Sequence, residues 1–118
     1  MVDDAPYCPS AGDIIWMEFG PTVANEQTGR RPAIILSARA FNELTGRCAA
    51  CPITSRGRGW ALEVGLPPEL TVTGTVMVDQ LRVLSWRERF SKFACAVPAS
   101  ILDEIRAKTA TLLGINID

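Results

Sequence analysis

Pro32-Ala33-Ile34-Ile35-Leu36 is a short, nearly continuous apolar run, the pattern of a central strand buried on both faces of a sheet. Proline is tolerated at the first residue of a strand because its missing N–H need not break the ladder there. It also pushes the residue before it out of the helical region and into extended backbone. Arg31 therefore stands at a defined exit from loop to strand, a good place for a positioned side chain. Upstream, Asp13-Ile14-Ile15-Trp16-Met17-Glu18-Phe19 is rich in strand formers, with Ile14, Trp16 and Glu18 sharing one face and Trp16 expected in the core. Gly20-Pro21 ends that strand. Residues 20–31 then hold glycine, proline, asparagine and threonine with no apolar periodicity, a long loop of the kind that carries function in small domains.

Downstream, residues 39–45 suit a short helical turn, and strands are expected at 47–54, 60–65, 74–78, 81–85 and 91–97. Arg56-Gly57-Arg58-Gly59 reads as a turn between two of them. The final segment, 100–113, is the clear helix. Ser100 and Asp103 resemble a capping box, Leu102, Ile105, Thr109, Leu112 and Leu113 line one face, and Gly114 supplies the stop. Residues 1–11 form an irregular lead-in punctuated by Pro6 and Pro9. The pattern predicts one mainly β domain spanning 1–118, a small β-barrel with short helices closed by a C-terminal helix. At 118 residues there is no spare length for a second domain.

Composition excludes more than it selects. The chain has no histidine. That removes the commonest general acid/base, the commonest zinc ligand and every triad built on imidazole. Catalysis must then rest on carboxylates, Arg, Lys, Cys, Tyr7 or hydroxyls, and neither a metal nor another cofactor is expected. No apolar run approaches the roughly 20 residues that cross a bilayer, and Met1-Val2-Asp3-Asp4 is unlike a signal peptide. The expectation is a soluble cytoplasmic protein with no membrane partner.

Net charge is −1, but its distribution is uneven. No Lys or Arg precedes Arg30, whereas Arg30 to Arg58 holds six arginines against Glu43 alone. Ten of the twelve basic residues are arginine, the side chain that grips phosphate bidentately. A solvated set of loop charges accounts for the same pattern equally well. The pair Cys48-x-x-Cys51 admits a redox dithiol, half a zinc site or buried thiols. Residues 47–54 read as a strand, in which positions three apart face opposite ways and cannot share a ligand. Buried, reduced thiols are therefore expected.

The features fall in a specific order. Gly12-Asp13-Ile14-Ile15-Trp16 is followed by Pro21-Thr22, then by Glu26-Gln27-x-Gly29-x-Arg31-Pro32-Ala33-Ile34-Ile35-Leu36. Pro52-Ile53-Thr54-Ser55, Val78-Asp79-Gln80-Leu81-Arg82 and Trp86 come after. From about Gly12 to Gly114 the chain resembles the MazF/PemK family of toxin endoribonucleases. The resemblance implies an SH3-like barrel of the CcdB/PemK type with added helices. It implies a homodimer that cleaves single-stranded RNA (mRNA, with tRNA and rRNA as further targets) with sequence preference, held in check by a cognate antitoxin protein. It places Arg31, Thr54 and Glu26 in the active site, and gives Gln80 and the loop 20–31 contacts to RNA or antitoxin. Gly20, where many members carry a polar side chain, and Arg30 beside Arg31 depart from the pattern, so cleavage specificity does not carry over.

The residues make chemical sense of that implication. RNA is cut without metal or histidine when its own 2′-OH attacks the adjacent phosphorus, leaving a 2′,3′-cyclic phosphate or 3′-phosphate and a 5′-OH end. Glu26 can take the proton, Arg31 can neutralise the equatorial oxygens as charge builds, and Thr54 can donate a hydrogen bond to the same phosphate. An arginine is a reluctant acid, so leaving-group protonation stays unassigned, with water or Arg56 as candidates. Phe19 can stack on a base, and Asn25, Arg30, Ser55 and Arg56 are further candidates for RNA contact. Each has a plainer reading: Glu26 and Arg31 as a loop ion pair, Thr54 as a structural strand end, Arg56-Gly57-Arg58-Gly59-Trp60 as a turn with solvated charges. Arg82, Trp86 and Arg87 suit either a dimer interface or packing within one subunit. Two rival functions stand beside the nuclease. One is a gyrase poison of the same fold, whose C-terminal Trp-Gly-Ile is here Leu113-Gly114-Ile115; the other is a non-catalytic small-barrel binding module.

Overall fold

The computed structural model describes residues 7–18, 30–89 and 91–116. Strand β1 (Asp13–Glu18) runs antiparallel to β2 (Arg30–Ile35), with Ile14 opposite Ile34, Trp16 opposite Pro32 and Glu18 opposite Arg30. Helix α1 (Arg39–Thr45) follows, ended by Gly46 in the left-handed conformation. Next come β3 (Arg47–Thr54), β4 (Glu63–Gly65), β5 (Thr75–Met77), β6 (Arg82–Ser85), β7 (Lys92–Ala96) and α2 (Ala99–Leu113). Short 3₁₀ turns occupy Val78–Gln80 and Arg87–Arg89. No helix among the described residues is long and apolar enough to cross a membrane.

The fold is mainly β, as the sequence predicted. Its seven strands run β4-β5-β3-β2-β1-β7, with β6 on the same edge of β3 as β5. Strand β3 is the hinge of the sheet. Its first half pairs with β6 from Arg47 to Ala50, and its end pairs with β5 at Ile53 and Thr54. The 3₁₀ turn Val78–Gln80 is the step between those two partners. Strands β1 to β5 and β7 all feed side chains into one cluster, among them Ile14, Ile34, Ile53, Val64 and Val76, so the sheet must curl around it. Ile105 of α2 is fully buried in that cluster.

The opposite face is buried too. Ile15, Met17, Ala33, Ile35, Cys48 and Trp86 form a second cluster, capped by Cys8. Burial on both sides explains why Ala33 to Leu36 read as an unbroken apolar run rather than an alternating one. The lead-in expected at 1–11 is irregular over its described part, yet Cys8 and Pro9 are buried. The side-chain amide of Asn42, buried in α1, fastens it by donating to the Pro9 carbonyl at 2.9 Å. Cys48 and Cys51 fall into different clusters, on opposite faces of β3, as the strand reading required.

Several boundaries differ from expectation, three of them for a definite physical reason. Strand β2 begins at Arg30, two residues before Pro32, because its ladder with β1 continues past the proline to Glu18. Strand β4 begins at Glu63 instead of residue 60, because Trp60 and Ala61 belong to a turn in which the Glu63 amide donates to the Trp60 carbonyl. The capping box fails: α2 starts at Ala99 with Pro98 as its N-cap and no side-chain cap, so Ser100 already lies inside the helix. The face of α2 is also narrower than expected. Leu102 and Thr109 are partly covered, but Leu112 and Leu113 are 39% and 59% exposed.

Candidate functional site

The ladder between β2 and β3 ends at Ala33 opposite Pro52. Beyond that pair Pro32, at the next position of β2 that faces β3, has no N–H to donate, and the pairing stops. Carried two positions further, the same register brings Arg31 beside Thr54, on one face. In the gap lies a cleft of about 470 Å³, lined by Arg31, Pro32, Ile53, Thr54, Ser55, Arg56 and Thr73. Four of the sequence-predicted site residues, Arg31, Thr54, Ser55 and Arg56, therefore converge on one cavity. Among the described residues, no carboxylate lines it.

Local structure sets the orientation of the donors. The Thr54 hydroxyl oxygen accepts the Arg56 backbone N–H at 3.0 Å. With the oxygen so engaged, the hydroxyl hydrogen is left to donate into the cleft. Arg31, Ser55 and Arg56 are exposed. Gly74 permits the close approach behind Thr54: it adopts φ +131°, and a Cβ there would stand 2.6 Å from the Thr54 carbonyl oxygen.

The remaining expected residues are placed differently. Arg30 is exposed on β2 beside Arg31, opposite Glu18, and does not line the cleft. Gln80 is exposed on the Val78–Gln80 turn, outside the cleft lining. Phe19, Asn25 and Glu26 lie outside the described residues; their segment, 19–29, joins β1 to β2 and is rooted where Arg30 and Arg31 begin the strand. Thr73 lines the cleft and was not anticipated. It comes from a stretch without periodicity that the sequence could not assign to any element.

The other candidates resolve to structural parts. Trp86 is buried and donates its indole N–H to the Asn42 carbonyl at 3.0 Å. Arg87 lies over the Trp86 ring, 4.9 Å from its centroid, and donates to the Glu43 carbonyl at 3.1 Å. Both therefore pack within the chain. Arg89 ties the end of β1 by donating to the Glu18 carbonyl at 2.8 Å. Burial pushes the Cys48 and Cys51 thiols up to about 12, so neither offers a nucleophilic thiolate near neutral pH. Burial, reinforced by its hydrogen bond to Asp13, also raises the Tyr7 hydroxyl well above its ordinary value and takes it out of acid–base work. Among the described residues, no group of three or more Cys, Asp or Glu is arranged to hold a metal ion.

Comparison with known proteins places this geometry. Residues 10–113 match the family model described as a PemK-like, MazF-like toxin of type II toxin-antitoxin system. The chain is 37% identical over 108 residues to the endoribonuclease toxin MazF of Escherichia coli K12, covering 92% of this chain and 96% of that protein. The crystal structure of MazF (Form-I) from Deinococcus radiodurans superposes with a TM-score of 0.85 at 45% identity, covering 93% of this chain and all of that one. The crystal structure of MazE-MazF (Form-II) from the same organism gives 0.84 at 43% identity, over 94% of this chain and 100% of the other.

Proposed function

The chain belongs to the PemK-like, MazF-like toxin family of type II toxin–antitoxin systems, and from that premise we propose that it is an endoribonuclease that cuts single-stranded RNA without a metal ion. The observation that carries this reading is the convergence of Arg31, Thr54 and Arg56 on one cleft. Such a cleft suits a phosphodiester, because cations and a free hydroxyl hydrogen are what its non-bridging oxygens require.

In this mechanism the ribose 2′-OH attacks the adjacent phosphorus. Glu26 accepts its proton; no more than roughly 17 Å of extended chain separates that residue from Arg31. Arg31 meets the charge that grows on the equatorial oxygens, which is the largest single contribution available to a site of this kind. Thr54 donates its hydroxyl hydrogen to the same phosphate, and Arg56 draws in the neighbouring one. The 5′-oxygen leaves and takes a proton from water, giving a 5′-OH on one fragment and on the other a 2′,3′-cyclic phosphate that a second water opens to a 3′-phosphate. DNA, lacking the 2′-OH, is spared. Phe19, Asn25, Arg30, Ser55 and Gln80 supply further RNA contacts and a preference for particular sequences.

The active species is a cytoplasmic homodimer, and its partner is an antitoxin. The similarity to the MazE-MazF structure from Deinococcus radiodurans supports a protein partner. The exposed Arg30, Arg31 and Arg56 favour an acidic segment laid over the cleft.

The test is incubation of the purified protein with a long single-stranded RNA in EDTA. Discrete cuts ending in cyclic or 3′-phosphate are expected. Cleavage that appears only when a divalent metal is restored defeats the mechanism; gyrase inhibition with intact RNA, or RNA binding without scission, defeats the activity.

A further inference from the structure

A second cavity of about 470 Å³ lies on the other side of the segment that follows β3. Gly57, Gly59, Trp60, Glu63, Thr75 and Lys108 line it. It adjoins the phosphate cleft through one cross-strand pair, Thr54 and Thr75: Thr54 lines the first cavity and Thr75 the second. The chain reaches across as well, with Arg56 in one lining and Gly57 in the next. Gly57 allows the segment to lie flat, since a Cβ there would stand 2.5 Å from the Thr75 hydroxyl oxygen.

The chemistry of the second cavity is unlike that of the first. Glu63 is 8% exposed, and both loop amides that fasten it, those of Arg58 and Gly59, donate to the same oxygen, Oε1, at 2.9 and 2.8 Å. Oε2 takes no part in holding the loop, and it is not sealed off from solvent without a partner. A ligand entering here meets an acceptor with no hydrogen to give. Beside it stands Trp60, 48% exposed, an indole stacked on no other ring among the described residues. Lys108 of α2 is held at the wall by donating to the Glu63 carbonyl at 2.9 Å.

A carboxylate repels phosphate, so this cavity does not take the backbone of the strand. An open aromatic face with an acceptor at its edge suits a flat ring that carries its own N–H donor. We propose that the Trp60–Glu63 cavity is a nucleobase subsite, in which a base neighbouring the cut stacks on Trp60 and donates an exocyclic amino hydrogen to Glu63 Oε2. Cytosine, adenine and guanine carry such an amino group. Uracil offers only its N3–H, flanked by two carbonyl oxygens that repel the carboxylate, and so pairs with it less well. This reading rests on the RNA-cleaving function proposed above and specifies how that cleavage acquires sequence preference.

The sharpest test compares cytosine with uracil, which differ by an amino group against an oxygen at C4. Pentamers of 2′-O-methyl C and 2′-O-methyl U, which cannot be cut, are titrated against the full chain in EDTA and followed by tryptophan fluorescence. The C pentamer is expected to bind roughly tenfold more tightly than the U pentamer. Glu63→Gln keeps an oxygen for the Arg58 and Gly59 amides while giving up the acceptor-only edge, so it brings the two pentamers close to parity. Trp60→Ala, at an exposed position, weakens both about tenfold. Equal binding of C and U by the unaltered protein, or a preference that survives Glu63→Gln, overturns the subsite. Loss of RNA scission in the EDTA assay bears on the catalytic proposal instead, because the pentamers report binding with no cleavage step.

Discussion

The cleft at Arg31 and the cavity at Trp60 have the same volume, about 470 Å³ each, and share one short segment of chain. They differ in what lines them. The first is bounded by two arginines and hydroxyls, with no carboxylate among the described lining residues. The second contains a pinned carboxylate, a lysine and a half-exposed indole. The first opens where the β2–β3 ladder stops at Pro32, which has no N–H to extend it; the second opens where Gly57 lets the chain lie low over Thr75. Size therefore says nothing about what either holds. The number and sign of the hydrogen-bonding groups decide it: donors for a phosphate on one side, an acceptor for a base on the other.

Breaking the first region alone should give the largest effect. Arg31→Ala is expected to lower the RNA cleavage rate by on the order of 10²–10³, the usual cost of removing a group that stabilises charge in the transition state. Single-turnover cleavage at saturating protein measures this, while the pentamer preference for C over U persists. Arg31→Lys should restore little, because one ammonium cannot grip two equatorial oxygens at once. A rate that survives Arg31→Ala would remove Arg31 from the chemistry and leave the cleft a binding groove. Thr54→Val comes next. It keeps the shape of the side chain and deletes one hydrogen bond to a charged group, which predicts a loss of roughly tenfold to a hundredfold in the same assay. An unchanged rate would return Thr54 to a structural strand end.

The two regions were not equally legible in the sequence. Arg31 could be placed because Pro32 forces the residue before it into extended backbone and the apolar run behind it fixes a central strand. Thr54 could be put at the end of the 47–54 strand, but its place in the site came only from the family resemblance. The opposite facing of Cys48 and Cys51 followed from the two-residue period alone. What pattern could not show is how β3 changes partner from β6 to β5, and hence how Thr73 and Gly74 come to back the cleft; their segment has no periodicity to read. The second cavity was missed for a related reason. Trp60 was read as part of a strand, when the carboxylate of Glu63 gathers the Arg58 and Gly59 amides into a turn that no local propensity announces. The capping box failed because Pro98, already extended, takes the cap position two residues ahead of Ser100.

Salt dependence separates the two regions by charge, with the smallest expected change. Each phosphate contact on a single strand contributes about 0.7 to the slope of log affinity against log salt, through the counterion it releases. Arg56 lies at the cleft edge, exposed, and its guanidinium has no hydrogen-bond or ion-pair partner among the described residues, which leaves it to meet a phosphate beside the one being cut. Arg56→Ala should therefore flatten the slope by about 0.7 and weaken binding of any single strand, whatever its bases. Glu63→Gln removes a charge of the opposite sign from a cavity that meets a base, so it should leave that slope in place while erasing the preference for C over U. The measurement is the affinity of the 2′-O-methyl pentamers from roughly 50 to 200 mM salt, in the unaltered protein and in each variant. Should Arg56→Ala alter base preference, or Glu63→Gln flatten the slope, the division into a phosphate side and a base side would fail, and the two cavities would have to be treated as one continuous groove.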